Sequence, residues 1–341
     1  MRKMATIRKI DDIRPIDGAD AIECAVVGGW TVVIKKGEYR IGDRAVYCEI
    51  DSFIPTSIAP FLTKPGHYAK TYEGVEGERL RTVKLRGQLS QGLLLNLDVV
   101  IPQTNSFADG DDVSELLGIV KYEAPIPAEL AGEVRGMFPS LIPKTDQERI
   151  QNLSVELENW KAEKLTWEIT EKLDGSSMTV YVIDGEVGVC SRNLDLKPNE
   201  DNSLWRAAYK HNLPAKLADI GRNIAVQGEL IGNGIQGNMY KMRDQDFYVY
   251  DIYDIEAGCY FTPAEREAFV AVFNLNHCPV LGTYETAEFT TVEHLLKFAE
   301  AKSVVGDFIV GPEREGLVFK CREKQLSFKA ISNRFLLKGG N

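Results

Sequence analysis

Lys172-Leu173-Asp174-Gly175 is the stretch where residue type and spacing most plainly invite chemistry. A lysine is a nucleophile only as the free amine, so its pKa must fall well below roughly 10.4 before it attacks. A neighbouring metal cation or other lysines lower it electrostatically. Standing alone, Lys-x-Asp-Gly is a surface turn in most proteins. Here it heads an ordered series: Ser191-Arg192-Asn193, Gln227-Gly228-Glu229, Phe247-Tyr248-Val249-Tyr250-Asp251, Glu315-Gly316-Leu317-Val318-Phe319-Lys320 and Ser327-Phe328-Lys329. Carboxylates, lysines and an aromatic strand in this mixture suit phosphoryl chemistry. Lysines and Mg²⁺ offset charge on a transferring phosphorus, and Mg²⁺ keeps most of its waters while a few carboxylates hold it. The period-2 run Phe247–Ile252 puts Tyr248 and Tyr250 on one face, where a ring either stacks on a base or fills a core.

A second motif is a decoy. Gly232-Asn233-Gly234-Ile235-Gln236-Gly237 reads as G-x-G-x-x-G after a strand, and Asp251 lies 19 residues past Gly232. A dinucleotide fold needs a helix between that loop and the next strand. Only nine residues, 238–246, separate Gly237 from Phe247, too few for a crossover of about a dozen. The glycines form a loop over a nucleotide or a plain turn.

The elements that must position these residues fall into an α+β chain of three parts. Residues 1–100 carry short β-branched runs at Ile22–Val27, Trp30–Lys35, Arg44–Ile50, Leu80–Leu85 and Gly92–Leu97, punctuated by Asp17-Gly18, Gly28-Gly29, Lys36-Gly37 and Arg86-Gly87. Five such strands without a long helix predict an OB-type β-barrel. Alternation sets Arg79 and Arg81 on one face of a hairpin that also carries Lys84 and Arg86. Residues 101–165 read as a helical and irregular connector, with helical spacing at Ser114–Leu117 and Asp146–Trp160. Thr145 and Glu148 form a capping box for the second of these, and prolines 125, 127, 139 and 143 break the rest. Residues 166–341 return to strands at 165–170, 177–183, 186–191, 224–231, 247–252, 316–320 and 325–329. Helices fill 203–211, 263–274 and 291–302, so antiparallel sheets with helices are expected.

Composition narrows the class. In 341 residues, 44% hydrophobic and 26% charged, no apolar run reaches the roughly 18 residues of a membrane helix. No secretory leader is visible, and six scattered cysteines without a C-x-x-C pair read as reduced thiols in a cytoplasmic setting. The net charge of −10 argues against nonspecific duplex binding. It is unevenly spread: residues 1–105 carry 15 basic and 13 acidic groups, and residues 106–170 carry 6 and 13. A local basic groove is therefore allowed.

The ordered series resembles motifs I, Ia, III, IIIa, IV and V of the covalent nucleotidyltransferases, the superfamily of polynucleotide ligases and capping enzymes. Ile13 through Glu23 and Gly37 through Pro55 also resemble the OB module of tRNA-binding proteins. DNA ligases and capping enzymes carry an OB domain after motif V. Only 12 residues follow Lys329 here, and the OB-like module lies upstream. That order is similar to the ATP-dependent RNA ligases with an N-terminal OB domain.

The resemblance implies that Lys172 takes AMP from ATP, passes it to a 5′-phosphate RNA end, and that a 3′-OH then displaces it, at nicks in RNA. It implies Mg²⁺ or Mn²⁺ near Asp174, Glu229 and Glu315, through water. It implies AMP contacts from Glu171, Lys172, Arg192, Asn193, Glu229, Tyr250, Lys320 and Lys329. Motif V usually holds two lysines, and Ser327 stands for the first. Lys320 compensates, or Lys144 and Arg149 reach the pyrophosphate. The implied partner is broken or nicked RNA, with neither membrane nor obligate protein partner. Two alternatives compete: a capping-type guanylyltransferase and a noncatalytic OB-type RNA-binding protein. Decay to the latter would strike Lys172, Glu229, Glu315 or Lys329, and all four are present.

Overall fold

The computed structural model describes residues 2–100, 107–124, 132–306 and 311–338. The chain divides into two compact units, Met1–Pro125 and Ile126–Asn341.

The first unit is built from short antiparallel strands around two apolar clusters. One gathers Ile7, Val46, Ile54 and Leu95, the other Trp30, Val32, Tyr47 and Leu94. The Ile22–Val27 and Trp30–Lys35 strands pair as the sequence predicts, with Gly28 and Gly29 turning between them. Further strands escape a pattern search because they do not alternate: Ser52–Pro55 is buried throughout and Ala5–Lys9 is buried over its first three residues. The expected strand 80–85 is corrected. One strand ends at Arg79, another starts at Val83, and Leu80 to Thr82 lie between them. Arg79 is engaged with Asp51 at 2.5 Å and lies 5.0 Å from the Tyr122 ring centre. It therefore does not join Arg81 on an alternating basic face.

The stretch 101–165 does not stand as a unit of its own. Val120–Lys121 pairs with Ser52–Pro55, while Val134–Met137 pairs with Leu194–Leu196. Residues 114–117 form turns rather than a helix. Pro125 and Pro127 lie outside the described residues. The helix predicted from Asp146 begins only at Ser154 and runs to Glu163. Glu148–Arg149 instead forms a two-residue parallel pairing with Phe328 and Lys329. Glu148 bonds the Arg149 N–H and the Asn152 amide, so it does not serve the capping box with Thr145.

The second unit is α+β, with two antiparallel-rich sheets. The larger runs in the order Val134–Met137, Leu194–Leu196, Glu186–Cys190, Ser176–Ile183, Ile224–Ile231, Asp246–Asp254 and Cys259–Tyr260. Its core face packs Val180, Val226, Phe247 and Val249 against the helices Ser203–Lys210 and Leu213–Ala218. The smaller runs Glu148–Arg149, Ser327–Ile331, Gly316–Cys321, Thr166–Lys172 and Val280–Glu285. Its core is aromatic, with Phe319 and Phe328 stacked at 4.5 Å and Trp160 at 5.5 Å from Phe328. Burial of such rings is the dominant favourable term here. Ile224–Ile231 and Asp246–Asp254 pair antiparallel with no α-helix between them, only a 3₁₀ turn at Gln236–Asn238, so the glycine loop at 232–237 is not a dinucleotide crossover.

Candidate active site

Lys172 ends the Thr166–Lys172 strand of the smaller sheet, and Ser176 starts a strand of the larger. The Lys-Leu-Asp-Gly turn is thus the step from one sheet to the other, and its side chains fall in the seam. Gly175 is required there: a Cβ would sit 2.4 Å from the Leu230 carbonyl oxygen and 2.9 Å from Glu229 Cγ. Its absence lets the turn press against the Ile224–Ile231 strand and brings Glu229 to the lysine. Leu173 anchors the turn in a cluster with Ile231, Tyr240 and Cys278, and the Asp174 N–H donates to the Tyr240 hydroxyl at 2.7 Å.

The electrostatics centre on one clamp. Lys172 Nζ donates to both carboxylate oxygens of Glu315, at 2.6 and 2.7 Å. Burial alone would depress the Lys172 pKa, but Glu315, Glu229 and Asp174 outweigh it and raise it. Burial and the mutual repulsion of the carboxylates push Asp174 up to about 6 and Glu229 up to about 8. In this ligand-free arrangement the lysine is a held ammonium, not a nucleophile.

Tyr250 is placed by a β-bulge. Gln227 pairs with Asp251 and Gly228 with Val249, leaving Tyr250 as the extra residue. A bulge re-aims side chains, and here Tyr250 and Asp251 are consecutive yet both leave the core face that takes Phe247, Val249 and Ile252. Tyr248 and Tyr250 pack on the same seam cluster. The Tyr250 hydroxyl is 2.9 Å from Thr145 Oγ1 and 3.4 Å from Ser177 Oγ. Burial raises its pKa above the ordinary tyrosine value, so it stays a neutral phenol.

Lys320 is buried, 2.7 Å from Asp251 and bonded to the Tyr250 carbonyl. Burial lowers its pKa against the pull of Asp251. Behind Asp251 lies Arg266, 1% exposed, with Nη1 4.0 Å from Asp251 and Nη2 bonded to Glu168. Its Nε donates to His277 Nε2 at 2.8 Å, and burial together with Arg266 lowers that imidazole to about 4. Glu168, Arg266, Asp251 and Lys320 therefore alternate in charge through the interior.

A strap, Pro143 to Arg149, carries the remaining contacts. The Pro143 carbonyl accepts from Gln227 Nε2 at 2.9 Å, and Lys144 Nζ donates to Asn193 Oδ1 at 3.0 Å. Asp146 bridges Lys329 at 3.1 Å and Arg192 at 3.2 Å. Burial depresses Lys329 to about 8, with Asp146 opposing and Lys172 and Arg149 adding to the fall. Ser327 lies two residues before Lys329 on the same strand, opposite Lys320 in register. Glu171 Oε2 accepts the Val304 N–H at 2.9 Å, and burial raises its pKa. Its Oε1 is buried without a hydrogen bond of normal geometry among the described residues.

The twelve residues singled out from sequence all belong to this unit, and these contacts join most of them. Asp146, Thr145, Asp251 and Arg266 were not singled out as site residues. Asp251 alone carried a local signal, its place beside Tyr250. The donors suit a hard cation: oxygen ligands only, with two carboxylates whose pKa burial and neighbouring carboxylates raise. Among the described residues no three ligating side chains converge as a ready cage. Glu171 Oε1, buried beside Ser303 without a hydrogen bond of normal geometry, fits a ligand N–H donor.

An RNA ligase family model matches residues 165–338, and an OB-fold domain model matches residues 4–97. Among solved structures, an apo mutant of Naegleria gruberi RNA ligase is 48% identical, with a TM-score of 0.85 over 99% of this chain and 98% of that one. A mutant of that ligase with AMP and Mn gives 48% identity and a TM-score of 0.85, covering 99% of both chains. The ligase with PPi gives 48% and 0.83, again over 99% of both. No curated protein matches the chain. Together with the seam between two antiparallel-rich sheets, the family and structural matches make the second unit a nucleotidyltransferase domain. The chain belongs to the RNA ligase family. Its first unit is an OB-fold domain.

Proposed function

We propose that this RNA ligase uses ATP to join a 3′-OH RNA end to a 5′-phosphate end at nicks, through lysyl-AMP and RNA-adenylate intermediates. The observation that carries the reading is the Lys172–Glu315 clamp beside Glu229 and Asp174. Naegleria gruberi RNA ligase structures with AMP and Mn, with ATP and Mn, and with PPi support the same substrate and metal class. Asp174, Glu229 and Glu315 would hold Mg²⁺ or Mn²⁺ through water. When bound, that ion supplies the positive charge that offsets these carboxylates and favours the neutral amine.

Neutral Lys172 Nζ then attacks the α-phosphorus in line, forming the N–P bond as pyrophosphate leaves. Lys329 stabilises charge on the transferring phosphoryl group. Lys320, committed to Asp251 and the Tyr250 carbonyl, acts from the protein side by fixing the bulge beneath the base. Glu171 accepts the adenine amino group, Tyr250 stacks on the ring, and Arg192 and Asn193 meet ribose and phosphate. Lys144 and Arg149 are the candidate pyrophosphate contacts, supplying the cation that Ser327 lacks. Transfer of AMP to the 5′-phosphate frees Lys172, and 3′-OH attack expels AMP. Retention of Lys172, Glu229, Glu315 and Lys329 disfavours the noncatalytic alternative.

The test is sealing of a nicked RNA duplex bearing a 5′-phosphate by the full chain with ATP and Mg²⁺. Joined strand and AMP are expected in equal amounts. Covalent labelling of the protein without any joining would reject the nick as substrate.

A further inference from the structure

The second unit holds another basic cavity, of about 710 Å³, walled by the Ser203–Lys210 helix and the loop between the Ile224–Ile231 and Asp246–Asp254 strands. We propose that it binds the sugar-phosphate backbone of the RNA strand on its way to the nucleotidyl-transfer site. The proposal rests on the ligase reading above.

Four observations point there. Two guanidiniums line it without a carboxylate partner among the described residues. Arg206 is held by the Asp201 carbonyl at 2.7 Å and loosely by the Gln245 side chain at 3.5 Å, and exposed Arg243 has no recorded partner. Guanidinium forks are the matched donors for phosphate oxygens. Tyr209, 43% exposed, lies beside them and offers a stacking face.

The glycine loop that the dinucleotide reading leaves unexplained lies next to this wall. Gly232 and Gly234, at φ +122° and +80°, flank the lining residue Asn233. Space around Gly234 is open, its nearest neighbour to a Cβ being Gln245 Nε2 at 3.8 Å, so a ligand can approach that backbone. Finally, the strand that carries Glu229 ends at Ile231 and the lining residue Asn233 lies two residues beyond it, so the cavity begins just past the end of the active-site strand.

The lining is not a bulk positive field. Lys210 is paired with Asp246 at 3.1 Å, and Glu200 and Asp244 are also present. Three cations against two carboxylates leave one net positive charge. Directed contacts therefore carry the binding, and carboxylates beside guanidiniums suit ribose 2′-hydroxyl donors next to phosphates.

The experiment compares the full-length wild type with R243E and with the double variant R206Q/R243Q. Each is assayed for covalent labelling by ATP, for binding of a nicked RNA duplex across a salt series, and for sealing. Unchanged labelling at unchanged KM for ATP is expected. RNA affinity should fall about tenfold for each arginine lost, with the salt slope reduced by about two in the double variant. Sealing should recover at saturating RNA. Wild-type RNA affinity and slope in both variants would overturn the proposal while leaving the ligase reading intact. A raised KM for ATP would assign the cavity to the nucleotide instead and equally overturn it. A wild type that neither labels nor seals would reject the ligase reading, and this one with it. R243E guards against misfolding, since Arg243 is exposed and has no recorded contact to lose.

Discussion

Replacing Asp146 by asparagine isolates how the strap controls motif V. Lys329 is held at about 8 because burial lowers it and Asp146, 3.1 Å away, partly restores it. An adjacent opposite charge is worth about one to three pKa units. The Asp146 side chain is 29% exposed, so about one unit is the appropriate loss. With its amine at about 7 rather than about 8, the charged fraction of Lys329 is nearly unchanged at pH 6. At pH 9 it falls from about one tenth to about one hundredth.

Losing the Asp146 bond to Arg192 contributes a factor common to every pH assayed, since a guanidinium does not deprotonate in proteins. The assay is kcat/KM for ATP in self-labelling, which reports groups of the free enzyme. Apart from the constant Arg192 factor, the ratio of D146N to wild type should fall from about 0.9 at pH 6 to about 0.1 at pH 9. Lys172, Asp174 and Glu229 titrate in both proteins and cancel to first order. A ratio that stays flat with pH would refute the reasoning and leave Asp146 as a packing group.

Two further outcomes follow. Arg266→Met strands Glu168 in the interior without its cation and leaves Asp251 to Lys320 alone, and should cost about 3–5 kcal/mol in urea unfolding; a loss below about 1 kcal/mol would mean that the interior charges do not depend on it. Lys329→Ala should slow adenylylation by at least about 100-fold, because it removes transition-state charge stabilisation, whereas Ser327→Ala should change it little; equal losses in single-turnover labelling would show that the serine position carries the work.

The sequence reveals this site unevenly, for physical reasons. Lys172, Asp174 and Gly175 are legible because a turn between sheets is encoded by neighbours in the chain. Glu229 and Glu315 are legible only through motif order, since their meeting with Lys172 depends on sheet pairing. Tyr250 is placed on the right face by alternation, yet the bulge that also turns Asp251 toward Lys320 is a pairing event with no local signature. Asp146 and Arg266 act on partners 183 and 98 residues away along the chain, beyond any spacing rule. Helical spacing over Asp146–Trp160 and the Thr145/Glu148 capping box predict a helix opening at Asp146. The partners of Lys144, Thr145 and Asp146 on other strands and loops hold the strap extended instead. In the OB unit the missed strands lack alternation for opposite reasons: Ser52–Pro55 is buried throughout, whereas Asp12–Pro15 and Lys70–Tyr72 are short and half-buried to exposed.

The central claim is that Lys172 is the nucleophile. The full chain, incubated with ATP and Mg²⁺ and digested under conditions that preserve a phosphoramidate, should yield a single AMP-bearing peptide. The modified residue should be Lys172, and the adduct should vanish in Lys172→Met while the variant remains folded. An AMP adduct that persists in that variant, or one mapped to Lys320 or Lys329, would contradict the account.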